Sequence, residues 1–178
     1  NGDAAIDQLF EAMRPVVAKH GVKPGQAILI HGQFIRPDQV KELKSLGIFP
    51  SMFPMHTFYW GDWYQQIVGP EQAALISPMR SILNTGLHAT SHTDAPVALP
   101  NLMQVVWATV NRTSRSGTVI GPDERVTPYE AMKMITLWGA EQFGEQATKG
   151  SLEAGKLADL VVLSANPLTV DPMTINQI

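Results

Sequence analysis

The chain has 178 residues, 44% hydrophobic and 16% charged, with a formal net charge of −3 and no cysteine. That length and balance allow a globular domain with a sizeable core, and they exclude a disulfide framework and a thiolate metal site. Scattered Lys and Arg offer no basic stripe for nucleic acid, and no apolar run reaches the roughly 18 residues of a membrane span.

Residues 3–19 set Ile6, Leu9, Phe10, Met13 and Val17 at helical spacing, with charges between them. A Lys-Pro-Gly turn over residues 22–26 leads into Ala27–His31, a short apolar run of buried-strand type. Pro37 opens a helix through Val40, Leu43 and Leu46 that Gly47 closes. Residues 48–56 form a second strand candidate, which Pro50 and Pro54 demote to irregular or edge character. Residues 57–68 crowd Phe58, Tyr59, Trp60, Trp63 and Tyr64 into a stretch with no clear period, where such a cluster more often means packing; as a loop at a barrel mouth it would make a lid or substrate wall. Gly69-Pro70-Glu71 starts a helical stretch that contains Ser77-Pro78 and ends near Gly86.

The third strand is expected over residues 87–91 and a loop over 92–100. Residues 101–112 read as a helix with Leu102, Val105, Val106 and Thr109 on one face, leaving Trp107 to meet a neighbouring helix. A polar loop over 114–126 follows. Thr127-Pro128-Tyr129-Glu130 then has capping-box form and begins a helix to about Phe143. Finally, Gly155-Lys156-Leu157-Ala158-Asp159 turns into a short strand over residues 160–163. No internal repeat is present.

The three strand candidates share one property: each ends on a histidine or is followed within three residues by a histidine and an aspartate. In a parallel β/α barrel the C-terminal strand ends converge on the face where chemistry is done. A metal-assisted hydrolase is therefore the first reading to test. His31 follows four apolar residues and suits a divalent ion, with Gln33 beside it to orient the ring or a substrate. Asp94 can bind a metal and accept a proton from water, although an Asx turn ahead of Pro96 would use the same residue. His56 suits a ligand, an oxyanion contact or a partly buried structural role. His92, two residues before Asp94, points to the same side in an extended chain and can orient it or touch substrate. His88 is expected to pack within the barrel, His20 to cap a helix towards solvent, and Arg80 to be a surface cation rather than an acid's partner.

Taken together, these segments resemble the amidohydrolase superfamily, and within it the YtcJ-like, amidohydrolase-3 branch. The stretch Gly150-Ser151-Leu152-Glu153-Ala154-Gly155-Lys156-Leu157-Ala158-Asp159-Leu160-Val161-Val162-Leu163 with Asn166-Pro167-Leu168 resembles the family's return from barrel to small β-sandwich. Thr127-Pro128-Tyr129-Glu130-Ala131 resembles the start of the helix before that return. His31-Gly32-Gln33 is similar to the metal-binding His-Ala-Gln after the sixth strand. His92-Thr93-Asp94-Ala95-Pro96-Val97 is similar to the eighth-strand Gly-Ser-Asp-Ala-Pro-Val, and His56 falls where the branch has a histidine after strand seven.

The resemblance implies an α/β fold: the C-terminal part of a (β/α)8 TIM-type barrel, roughly strands 6–8 with their helices, over residues 1–147. Residues 148–178 would then lead back into a small, incomplete β-sandwich. It implies a cation, zinc by preference, as one or two ions held by His31 and Asp94. Activated water would cleave a C–N bond of amide type. Asp94 would be base and then acid, and His56 a catalytic contact. Gln33, His92 and Trp60 would contact a small-molecule substrate. With no initiator Met and fewer than the roughly 200 residues of a complete barrel, a piece of a longer chain is expected, the fifth-strand and first-strand histidines belonging upstream. The missing N-terminal part of the same protein is the expected partner, with a homo-oligomer as a further assembly; neither nucleic acid nor membrane is expected, and the location is expected to be cytoplasmic. The alternatives are a catalytically silent fragment, or a ligand-binding barrel segment without metal. One distance separates the last of these: a shared ion with bonds of roughly 2 Å requires His31 and Asp94 to lie within about 8 Å.

Overall fold

The computed structural model describes residues 1–22 and 27–178, so most of the turn expected over residues 22–26 lies outside the described residues. Helix α1 spans Asp3–His20, and its stripe behaves as the spacing predicts. Ile6 and Phe10 are buried, with Leu9, Met13 and Val17 packed beside them. Strand β1 (Ala27–His31) is followed by α2 (Pro37–Leu46), which Gly47 ends in the left-handed conformation that glycine adopts without a Cβ clash. Val40, Leu43 and Leu46 turn inward, and α2 returns the chain to β2 (Ile48–Met52), parallel to β1 with Ala27 opposite Ile48 and His31 opposite Met52.

Pro50 is not at an edge: among the described residues, β2 is the middle of three parallel strands in the order β1-β2-β3. Direction explains the tolerance. The Met52 carbonyl accepts the His92 N–H across the β3 side, so Pro50, two residues earlier, also faces that side. Pairing with β3 begins only at Ser51 opposite Thr90, so the missing N–H removes no bond from the β1 ladder.

The aromatic stretch is a helix rather than a loop. Helix α3 covers Met55–Ile67 and turns Phe58, Tyr59 and Trp60 partly onto the main core. Two short helices, α4 (Pro70–Ala74) and α5 (Met79–Asn84), follow, broken apart at Ser77-Pro78 where Ser77 has φ +47°. Strand β3 is shorter than expected, Thr90–Ser91 alone.

Helix α6 (Leu102–Asn111) buries Val105, Val106 and Thr109 as expected, while Leu102 is largely exposed. Trp107 leaves that stripe to meet Phe58 of α3 edge-on, and its Nε1–H donates to the Met173 carbonyl at 3.0 Å. The capping box at Thr127 is formed, but the helix divides at Thr136 (φ −128°, ψ −93°) into α7 (Pro128–Ile135) and α8 (Leu137–Gln142).

The strand expected over residues 160–163 is not formed. Leu160, Val161 and Val162 stay exposed, Val162 at 97%, because no strand among the described residues offers them a ladder. The chain then comes back onto α6 through the 3-10 turn Pro172–Gln177, whose Ile175 is buried. The main core lies between the sheet and its helices, built on Phe10, Leu43, Ile48, Met52, Met79 and Val106. The fold is thus α/β with a parallel sheet joined by helical crossovers. Among the described residues, no helix is long and apolar enough to cross a membrane.

Candidate metal centre

Parallel strands deliver their C-terminal residues to one edge of the sheet, and the candidate chemistry gathers there. His31 is the last residue of β1, His56 lies in the first turn of the helix after β2, and His92-Thr93-Asp94 follows β3 directly. The backbone is bent at two of these points. His31 has φ +73° and Asp94 φ +53°, left-handed conformations that side chains with a Cβ adopt at a cost of about 1–3 kcal/mol and that cluster at functional sites.

His31 Nε2 lies 3.4 Å from Asp94 Oδ2, well inside the limit for a shared ion. His92 joins them: ligand atoms of His31, His92 and Asp94 all fall within 4.8 Å of one another. The His31 and His92 rings stack with centroids 5.2 Å apart, and His56 meets His31 edge-on at 5.6 Å. Phe53, delivered just beyond β2, forms the apolar floor, with its ring 4.7 Å from His56 and 5.4 Å from His92. Trp60 closes the side, 5.8 Å from His56.

Polar satisfaction shows what is left over. Nε2 of His31 and Nε2 of His92 are buried without a hydrogen-bond partner, as are Nδ1 of His56 and Nε2 of Gln33. Buried polar atoms are seldom orphaned, and two imidazole nitrogens beside one carboxylate are a donor set that suits a divalent cation. The protonation states agree. Burial, then the His31 charge, pushes the His92 pKa down, and burial pushes His56 down to about 4, so both rings are neutral near pH 7.

His56 does not enter the trio and stands one ring away, against Phe53 and Trp60. Gln33 is buried and its carbonyl accepts the Ser77 N–H, but its amide does not hold His31. That contact falls to Asn1, whose Oδ1 lies 2.7 Å from His31 Nδ1. Nothing local announces a pairing across 30 positions, so sequence reasoning had no signal for Asn1. For His92 the signal existed, in its spacing two residues from Asp94, but pointed equally to substrate contact.

Three other residues settle elsewhere. His88 stacks on Trp138 at 4.6 Å and meets Glu141 at 2.6 Å, away from the trio. His20 ends α1 in exposed position. Arg80 is not a free surface cation, because its guanidinium donates to both Glu130 oxygens at 2.9 and 2.6 Å. A groove of about 420 Å³ lined by Leu87, His88, Tyr129, Lys133 and Trp138 contains none of the trio. Among the described residues, none of the buried side-chain polar atoms left without a hydrogen-bond partner belongs to the groove's lining, whereas four lie at the strand ends, on His31, Gln33, His56 and His92.

Comparison with known proteins gives the same direction. A family model described as the amidohydrolase family matches residues 1–178. N-substituted formamide deformylase of Arthrobacter pascens is 31% identical over 168 residues, 94% of this chain and 31% of that protein. Putative amidohydrolase YtcJ of Bacillus subtilis is 23% identical over 96% of this chain and 33% of its own. Among solved structures, an uncharacterized metal-dependent hydrolase from Pyrococcus furiosus superposes with a TM-score of 0.75 at 26% identity, covering 94% of this chain and 33% of that one. The chain spans about a third of the length of the curated relatives it matches.

Proposed function

The chain belongs to the amidohydrolase family, and on that premise we propose that it carries part of a metal-dependent centre that hydrolyses C–N bonds of amide type. The observation that carries the proposal is the meeting of His31, His92 and Asp94 within 4.8 Å, with two imidazole nitrogens unpartnered. These three residues would hold a divalent cation, zinc by preference, and any second ion would need ligands from the rest of the protein. Such an ion, when bound, supplies Lewis acidity that polarises a carbonyl and makes water acidic enough to deprotonate near neutrality.

The remaining roles fall to the side chains. Asp94 takes a proton from the attacking water on a carboxylate oxygen and returns it to the departing nitrogen as the C–N bond breaks. His56 is neutral and therefore carries one N–H, which it donates to the carbonyl oxygen as negative charge develops there. Trp60 and Phe53 keep water from the acyl side, and the Gln33 amide is free to meet a substrate carbonyl or N–H. The deformylase relative suggests N-formyl and N-acyl amides as the first substrates to try. In the wider architecture, residues 1–147 would be the last part of a (β/α)8 barrel. Residues 148–178 would be the return towards a small β-sandwich, with the N-terminal part of the protein supplying the other strands and ligands.

The test is hydrolysis of an N-formyl and N-acyl amide panel by the intact protein, with and without a chelator. Activity should vanish with chelator, return with Zn²⁺, and fall by about 10²–10⁴ in Asp94→Asn. Hydrolysis retained in that variant removes Asp94 from proton transfer, and ligand binding without turnover, indifferent to chelator, favours a metal-free binding module.

A further inference from the structure

His31 holds a backbone conformation that an L-residue resists, at the end of a strand, with its side chain committed to one direction. Several side chains surround its ring, and among the described residues Asn1 is the one that hydrogen-bonds to it. Its side-chain oxygen lies 2.7 Å from His31 Nδ1, while its backbone carbonyl accepts the Phe34 N–H at 3.2 Å. One residue thus grips both ends of the turn from His31 to Phe34.

Asn1 is itself held by the start of α1, which is tied to the start of α2. Gln39 Nε2 donates to the Asp3 carbonyl and to Asp7 Oδ1, each at 2.7 Å. Arg36 forks onto both Asp7 oxygens at 2.9 Å. The clamp joins the helix that follows Asn1 to the helix that follows His31.

We infer that Asn1 is a positioning residue for His31, keeping the ring in the Nδ1–H tautomer so that the Nε2 lone pair faces Asp94 and His92. The chemistry is a matter of one proton. A neutral imidazole carries a single N–H, and whichever nitrogen donates leaves the other free as a ligand. With Nδ1–H donating to the Asn1 carboxamide oxygen, Nε2 is unprotonated, and it is this atom that lies buried and unpartnered 3.4 Å from Asp94. The opposite arrangement turns the Asn1 amide over, lets its NH₂ donate to Nδ1, and puts the proton on Nε2 facing Asp94. His31 would then serve as a hydrogen-bond donor to the acid and could not bind a cation through Nε2. The inference rests on the metal reading above for its consequence, but the tautomer is measurable without any metal.

Long-range ¹H–¹⁵N NMR of the metal-free protein at about pH 8, where a neutral imidazole reports its tautomer directly, is the first measurement. The Nδ1–H form of His31 is expected, and finding the Nε2–H form in the unmodified protein overturns the inference outright. Asn1→Leu keeps the size and removes the acceptor, whereas Asn1→Asp keeps an acceptor oxygen. Asn1 is not among the residues of the main core. Zn²⁺ affinity, read by chelator competition, should fall by about 10–100-fold in Asn1→Leu and hold in Asn1→Asp. Affinity within about twofold of the unmodified protein in Asn1→Leu, with the His31 tautomer unchanged, also overturns it. His31→Ala separates the two claims. If Zn²⁺ affinity is unchanged by that substitution, His31 is not a ligand and the metal reading of these strand ends fails, while the NMR result on the unmodified protein still judges the role of Asn1.

Discussion

The folded protein refuses a proton at His56 that the unfolded chain accepts, and this makes stability in acid a direct probe of the site. His56 is 6% exposed and packed against Phe53, Trp60 and His31. Burial, with the neighbouring histidines, lowers its pKa from 6.5 to about 4. Between those values the unfolded chain binds more protons than the folded one, so stability falls as pH falls through that window. The full difference is worth about 3 kcal/mol, of which about 2.5 is lost by about pH 4.5. The comparison is urea unfolding of the metal-free protein and of His56→Phe, which keeps an aromatic ring and removes the titration, at about pH 7.5 and 4.5. The unmodified protein should lose roughly 2–3 kcal/mol more than the variant between the two conditions. Equal losses in both would mean that His56 is charged and solvated in the folded state, and the neutral N–H donor assigned to it would fall as well.

Two further predictions concern the scaffold. Glu130 accepts from Arg80 through both oxygens and from the Thr127 N–H, and the Arg80 bonds, then Thr127, pull its pKa down to about 2. A depressed carboxyl stabilises above its unfolded pKa and loses that contribution as pH falls through the folded one. Glu130→Gln should therefore cost about 1–2 kcal/mol at pH 7, discounted for solvent screening, and the gap to the unmodified protein should close towards about pH 2 in chemical unfolding. A gap that stays constant with pH would show that the pair contributes packing alone. Arg112 is 1% exposed and donates to four carbonyls, those of Ala74, Ile76, Ser77 and Ile120, at 2.7–3.1 Å. Arg112→Met leaves those acceptors unpaired inside and should cost about 3 kcal/mol or more in urea unfolding. A loss below about 1 kcal/mol would show that water reaches the carbonyls readily.

Much of the local structure was legible because it follows from short-range chemistry. The apolar spacing of Ile6, Phe10 and Met13, the Pro37 start and Gly47 stop of α2, and the Thr127–Glu130 box each act within a turn or two of helix. The aromatic stretch misled because its rings spread around the helix, some towards the core and Trp63 towards solvent, so no single periodic face appears. The run over residues 160–163 has strand chemistry, yet a strand is a pairing and the described residues hold no partner for it.

By itself, the order of residues determined that three apolar runs would end in His31, the approach to His56, and Asp94, and that helices would intervene. It also determined which side chains were chemically able to bind a cation. Only the tertiary structure decided that His92 stands with His31 and Asp94 while His56 stands back, that Phe53 floors them, and that Asn1 rather than Gln33 holds the His31 ring. The physical reason is reach. Side-chain chemistry and turn preferences act over a few residues, whereas a cluster of side chains a few ångströms wide is set by the register of parallel strands whose partners lie tens of residues apart in the chain.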